Sequence, residues 1–149
     1  MAPPVAVIEF DHVEEIGRPP NEVFAYVTDV ANLPEWQSGV REATVDGPMR
    51  VGAIVRERRR LLGRDLSTML EVSEYEPDRR FSLRARSGPL PFEVTHTFES
   101  AGAGTRLVFH GAAEPPGFMR LTRRMVKAMA EREFRGYFKT LKQVLEAGS

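Results

Sequence analysis

The sequence predicts an α+β fold: an antiparallel sheet of about seven strands, two short helices after the first strand, and one long helix at the C-terminus. Three observations lead there. Period-two alternation of apolar and polar residues recurs along most of the chain up to Ala113. It is interrupted once, from Ile16 to Trp36, by a segment with helical spacing. After Pro115-Pro116-Gly117 the pattern turns helical again and stays so to Ala147.

The first strand is expected over Val5–Ile16, with Ile8, Phe10, His12, Glu14 and Ile16 on one face. Gly17, Pro19 and Pro20 end it, and Pro20 suits a first helical turn, where its missing N–H is not needed. Glu22 then lies near the positive end of the helix dipole. Val23, Val27 and Val30, flanked by Phe24 and Tyr26, form one apolar helix face. Asn32 and Pro34 are expected to stop this helix, with one more short turn over Leu33–Trp36. Val40–Val45 reads as a short strand closed by Asp46-Gly47-Pro48. Ala53–Leu62 and Leu66–Tyr75 flank Gly63-Arg64 and read as a hairpin. Phe81–Ser87, Phe92–Glu99 and Thr105–Ala113 complete the strands, and their short connections favour antiparallel pairing. The final helix, expected from Phe118 to Ala147, is roughly 45 Å long at the standard rise per residue. Phe134, Tyr137, Phe138, Leu141, Val144 and Leu145 make its apolar face.

A chain of 149 residues suits one domain, 1–149, with a real core. The formal net charge is zero, which gives no whole-chain argument for nucleic acid or an anionic membrane as partner. The absence of cysteine excludes disulfides, thiolate metal sites and thiol nucleophiles. No segment approaches the ~18 apolar residues of a membrane span, and the N-terminus lacks a signal-peptide pattern, so a cytoplasmic protein without an integral membrane span is expected. There is no P-loop, dinucleotide fingerprint, HExxH or GxSxG. The three histidines, His12, His96 and His110, are far apart, and His110 faces away from Phe109, which argues against a three-histidine metal site. No cofactor is implied, and the oligomeric state is not encoded in any pattern here.

Ile16-x-x-Pro19-Pro20-x-x-Val23-Phe24, then Asp29 and Leu33-Pro34-x-Trp36, Val51-Gly52, Val72-x-x-Tyr75-x-Pro77, Gly104-Thr105-Arg106 and Leu141-Lys142-x-x-Leu145-Glu146 follow one another in a telling order. Together they resemble the polyketide cyclase/dehydrase branch of the START-like, or Bet v 1-like (SRPBCC), superfamily. The resemblance implies a helix-grip fold: a curved sheet wrapped around the long helix, enclosing a cavity for a small hydrophobic molecule. Its members include aromatase/cyclases, lipid and quinone carriers, hormone receptors and co-chaperones, so it speaks for shape more than for reaction.

Strand alternation selects the cavity face. A two-residue turn at Gly63-Arg64 opposes Arg59 with Thr68, Glu57 with Leu70 and Val55 with Val72, on the more apolar face. The same reasoning turns Phe81, Leu83 and Ala85 inward, then Phe92, Val94, His96 and Phe98, then Leu107, Phe109 and Gly111. An apolar cavity thus acquires His12, Glu14, Glu57, Arg59, Thr68 and His96, the usual make-up of a small-molecule site. Glu57 and Arg59 either pair with each other or with Glu14, or Arg59 anchors a ligand oxygen. His96 and His12 are either ligand contacts or satisfied strand histidines. Met125 and Met129, with Met119, either fill the core or line the ligand site, and Trp36 either rims an opening or packs helix on sheet. Arg120, Arg123, Arg124, Lys127, Arg132 and Arg135 make the start of the last helix basic, which is either a solvated face or a guide for an anionic partner.

Two functions fit these residues. In a cyclase, His96 or Glu57 removes a proton beside a carbonyl, Arg59 stabilises the enolate, Thr68 orients a carbonyl, and apolar walls fold the chain for aldol closure and loss of water. In a carrier or sensor of a lipid, quinone or aromatic metabolite, the same groups only anchor the ligand. A co-chaperone-like interaction protein is a third reading.

Overall fold

The computed structural model describes residues 8–61, 64–87, 91–114 and 123–148, with the side chains of Leu61, Arg86 and Ser87 outside the description. Among these residues the chain runs β1 (Ile8–Ile16), α1 (Pro20–Thr28), a 3-10 turn (Val30–Asn32), α2 (Leu33–Trp36), β2 (Val40–Asp46), β3 (Ile54–Leu61), β4 (Arg64–Glu76), β5 (Arg80–Ser87), β6 (Phe92–Ala101), β7 (Gly104–Ala113) and α3 (Arg123–Ala147). Seven strands form one antiparallel sheet in the order β1-β7-β6-β5-β4-β3-β2. This is the helix-grip arrangement, with α3 laid against the inward face. Val5–Val7 and Phe118–Thr122, assigned above to the first strand and last helix, lie outside the described residues.

The helical detour is broken earlier than expected. α1 ends at Thr28 because Asp29 is extended (φ −82°, ψ 94°), and its carboxylate accepts from the Ala31 N–H to cap the 3-10 turn. Pro34 sits in the first turn of α2 rather than ending the first helix. The apolar face is as read: Val23, Phe24, Val27 and Val30 are buried.

The β3–β4 hairpin pairs Glu57 with Thr68, Arg59 with Leu66 and Val55 with Leu70. The register is therefore two residues away from the expected one, with Arg64 paired to Leu61 in the ladder instead of lying in the turn. A shift of two preserves parity, so each side chain keeps its face. A second irregularity matters more. Between Val72 and Glu74 the β4–β5 register slips, so Glu74 opposes Ser82 and Tyr75 opposes Phe81. The bulge reverses the alternation. Tyr75 thereby turns to Phe24 and Phe81, while Glu74 reaches Arg80 and Ser82 on the outer face.

α3 closes the sheet with Tyr137, Phe138 and Leu141, all buried. Phe138 lies against Trp36, Phe109, His96 and His12 with ring centroids 4.8–6.1 Å apart. Its far end is fastened to the end of β1 and the loop that follows: the Gly17 N–H donates to Glu146 (2.8 Å), Arg18 Nε to the Leu145 carbonyl (3.0 Å) and Lys142 Nζ to the Glu15 carbonyl (2.6 Å). Those bonds satisfy a carbonyl that the helix end leaves open.

Candidate functional site

Period-two alternation on β3 sends Glu57 and Arg59 inward, and the end of α2 brings Trp36 and Gln37 up beside them. In the middle of the sheet the register aligns Phe81, His96 and Phe109 across β5, β6 and β7. These residues surround a cavity of about 50 Å³, completed by Val27, Val30 and Leu33 from the helical detour, Leu70, Leu83, Phe92 and Val94 from the sheet, and Phe134 from α3.

The polar groups form a connected set. Arg59 Nε donates to Glu57 Oε1 at 2.7 Å, and Arg59 Nη2 donates to Gln37 Oε1 at 2.9 Å. Thr68 Oγ1 donates weakly to the same Glu57 oxygen at 3.4 Å. The Glu57 side chain is 2% exposed and that of Arg59 17%, so the pair is largely withdrawn from water and the Arg59 end is nearer to it. Glu14 is not part of it. A buried carboxylate needs such a partner, since desolvation of a lone charge costs several kcal/mol.

His96 is buried among Phe81, Phe98, Phe109 and Phe138. Its Nδ1 lies 3.1 Å from the Phe81 carbonyl, which can only accept, so Nδ1 carries the hydrogen and Nε2 keeps its lone pair. Burial lowers its pKa to about 4, against the smaller upward pull of that carbonyl. At neutral pH it is an uncharged acceptor.

A second space lies on the outer side of α2. A groove of about 590 Å³ runs between α2 and α3, lined by Pro34, Glu35, Trp36 and Ser38 on one side and by Met129, Arg132, Glu133, Gly136, Tyr137 and Thr140 on the other. Burial and a hydrogen bond to Glu133 push the Tyr137 phenol well above its ordinary range. Trp36 lines both spaces. It is 1% exposed, and its indole Nε1 has no hydrogen-bond partner, a state shared among the described residues only with Arg18 Nη2.

Of the residues expected at the site, Trp36, Glu57, Arg59, Leu70, Phe81, Leu83, Phe92, Val94, His96 and Phe109 come together around the cavity. The others do not. His12 Nε2 donates to Glu14 at 2.9 Å, and the His12 ring stacks on Phe138, so both stay with β1 and the flank of α3. Thr68 touches the site only through Glu57. Met125 and Met129 are 49% and 42% exposed, too far round α3 to face the sheet, and Met129 lines the outer groove. Gln37 is missing from the sequence expectations, because a polar residue at the end of a one-turn helix carries no periodic signal. His110 lies on the outer face, bonded to Asp11 at 2.6 Å. No group of three or more His, Asp or Glu among the described residues could hold a metal ion. Arg123, Arg124, Lys127, Arg132 and Arg135 are exposed, while Arg120 lies outside the described residues.

Comparison with known proteins agrees with this architecture. The chain superposes on TTHA0849 from Thermus thermophilus with a TM-score of 0.81 and 24% identity over 95% of this chain and 99% of that one. It superposes on a START superfamily protein from Mycobacterium smegmatis with a TM-score of 0.84 and 15% identity, covering 95% and 99%. The di-domain aromatase/cyclase StfQ from the steffimycin biosynthetic pathway gives a TM-score of 0.78 and 12% identity over 96% of this chain and 53% of that one. At such identities these likenesses establish the fold alone. No curated protein matches the sequence. No described helix is long and apolar enough to cross a membrane. The sequence model of polyketide cyclase/dehydrase and lipid transport proteins matches residues 7–146, nearly the whole chain, and the protein belongs to that family.

Proposed function

We propose that this protein binds a small hydrophobic molecule between the sheet and α3, and that Arg59, Gln37 and His96 are its polar anchors. Family and fold support hydrophobic ligand binding in general. One observation carries the finer reading: a polar trio of Glu57, Arg59 and Gln37 faces an apolar, aromatic-walled cavity in which His96 offers a neutral acceptor. Arg59 supplies donors to a carbonyl or hydroxyl oxygen, and Glu57 keeps its charge balanced whether or not ligand is present. The absence of cysteine accords with a cytoplasmic setting.

A second reading, aldol cyclisation and dehydration, is favoured by the placing of a carboxylate beside a guanidinium at the cavity wall. Glu57 then takes the proton next to a carbonyl and Arg59 steadies the enolate oxygen. Thr68 holds Glu57 in place. His96, whose low pKa makes it a weak base, orients substrate by accepting a hydrogen bond. Arg59→Ala and His96→Ala, assayed with a poly-β-keto substrate, separate the two. Loss of turnover on Arg59→Ala that far exceeds its loss of binding identifies the enzyme, and a ligand bound but returned unchanged by the unaltered protein identifies the carrier. Absence of any saturable binding refutes both.

A further inference from the structure

The inner cavity of about 50 Å³ holds little more than water, whereas sites for drug-sized ligands span about 300–1,000 Å³. The outer groove of about 590 Å³ is of that size, and Trp36 lines both spaces. Its indole N–H is buried without an acceptor, an arrangement that native proteins rarely keep without a reason. α2 is a single turn spanning Leu33–Trp36, held by the burial of Leu33, by the Trp36 ring against Phe138 and by the Tyr26 hydroxyl donating to Glu35 at 3.0 Å. The next residue, Gln37, receives the Arg59 guanidinium, which ties this turn to the polar groups of the cavity.

We infer that Trp36 is a movable partition that joins groove and cavity into one site, and that its indole N–H recognises an acceptor oxygen on an apolar, ring-bearing ligand such as an aromatic ketone. The inference rests on the ligand-binding reading above and adds to it a recognition group and a route. In the closed state the donor is unsatisfied, so a ligand that supplies an acceptor gains a hydrogen bond that water does not make there. That differential gain is what shifts the population towards the open arrangement. A matching hydrocarbon offers the same apolar surface and no such gain.

The chain has one tryptophan, so an ¹⁵N-labelled sample gives a single indole N–H resonance, assigned by its loss in Trp36→Phe. Titration with 1-indanone and with indane compares two molecules of one shape, only the first with a carbonyl. The inference expects 1-indanone to bind about tenfold more tightly and to move the indole proton downfield, and expects Trp36→Phe to abolish that preference. A Cβ at Gly136 would meet nothing within 4 Å, so Gly136→Phe obstructs the groove without disturbing the core and should weaken 1-indanone by about tenfold. An indole resonance that stays in place while both probes bind alike overturns the role of Trp36 and leaves interior binding standing. Undiminished affinity in Gly136→Phe overturns the joining of groove and cavity. If neither probe binds at about 1 mM, the ligand-binding reading fails and takes this inference with it.

Discussion

Replacing Arg59 by Met removes the guanidinium and keeps most of the side-chain volume. Glu57, 2% exposed, then retains its carboxylate with only the 3.4 Å contact from Thr68, and Gln37 loses its donor as well. Breaking a fully buried pair costs about 3–5 kcal/mol, and because Arg59 is 17% exposed the lower end, about 3 kcal/mol, is expected. For a chain of this size that is a fall in Tm of about 6–12 °C. Replacing the pair together, Glu57→Leu with Arg59→Met, removes the orphaned charge and should recover most of the loss, since buried pairs exchanged for apolar residues are often neutral. Urea unfolding followed by the fluorescence of the single, buried Trp36 measures both variants. An Arg59→Met variant within about 1 kcal/mol of the parent, or a double variant no better than the single one, would refute the claim that the pair is held away from water.

Other expected outcomes follow from the same packing. His96 has a folded-state pKa of about 4 because it is buried, below its ordinary 6.5, so the unfolded chain binds the extra proton first. Its contribution is therefore complete above pH 6.5 and lost progressively down to about pH 4, on the order of 3 kcal/mol in all. His96→Phe should flatten that limb of the stability profile, and an unchanged acid limb would contradict the burial argument. Gly111→Ala places a Cβ 2.4 Å from the Phe10 ring, itself packed on Phe109 and Phe134, and should destabilise by about 1–3 kcal/mol in thermal unfolding. Gly136→Ala, with open space around the new methyl in mid-helix, should do the reverse by about 0.5–1 kcal/mol.

Alternation and breakers made the strands and their faces legible in the sequence, because each inward face is a row of apolar residues at period two. The two-residue offset of the β3–β4 hairpin was not legible, since both registers put the same side chains on the apolar face. Nor was the bulge between Val72 and Glu74, whose cause is tertiary: Tyr75 gains Phe24 and Phe81 as neighbours only when the alternation reverses. Asp29 falls within the helical spacing of Val23, Val27 and Val30, yet its short side chain caps the following turn where α1 ends. At the site, Glu57, Arg59 and His96 could be found because they interrupt apolar rows. Met125 and Met129 lie half-exposed on α3, and Met129 lines the outer groove, a placement set by angular position on the helix that residue type does not record. Gln37 and the outer groove depend on how α2 meets α3, which no local pattern records.

Native mass spectrometry of protein isolated gently from its own cells tests the central claim, that the space between sheet and α3 takes up a small hydrophobic molecule. The account predicts a mass above that of the bare chain, released on denaturation and reduced about tenfold in occupancy by Arg59→Met. A bare-chain mass alone, together with no saturable uptake of 1-indanone at about 1 mM, would contradict it.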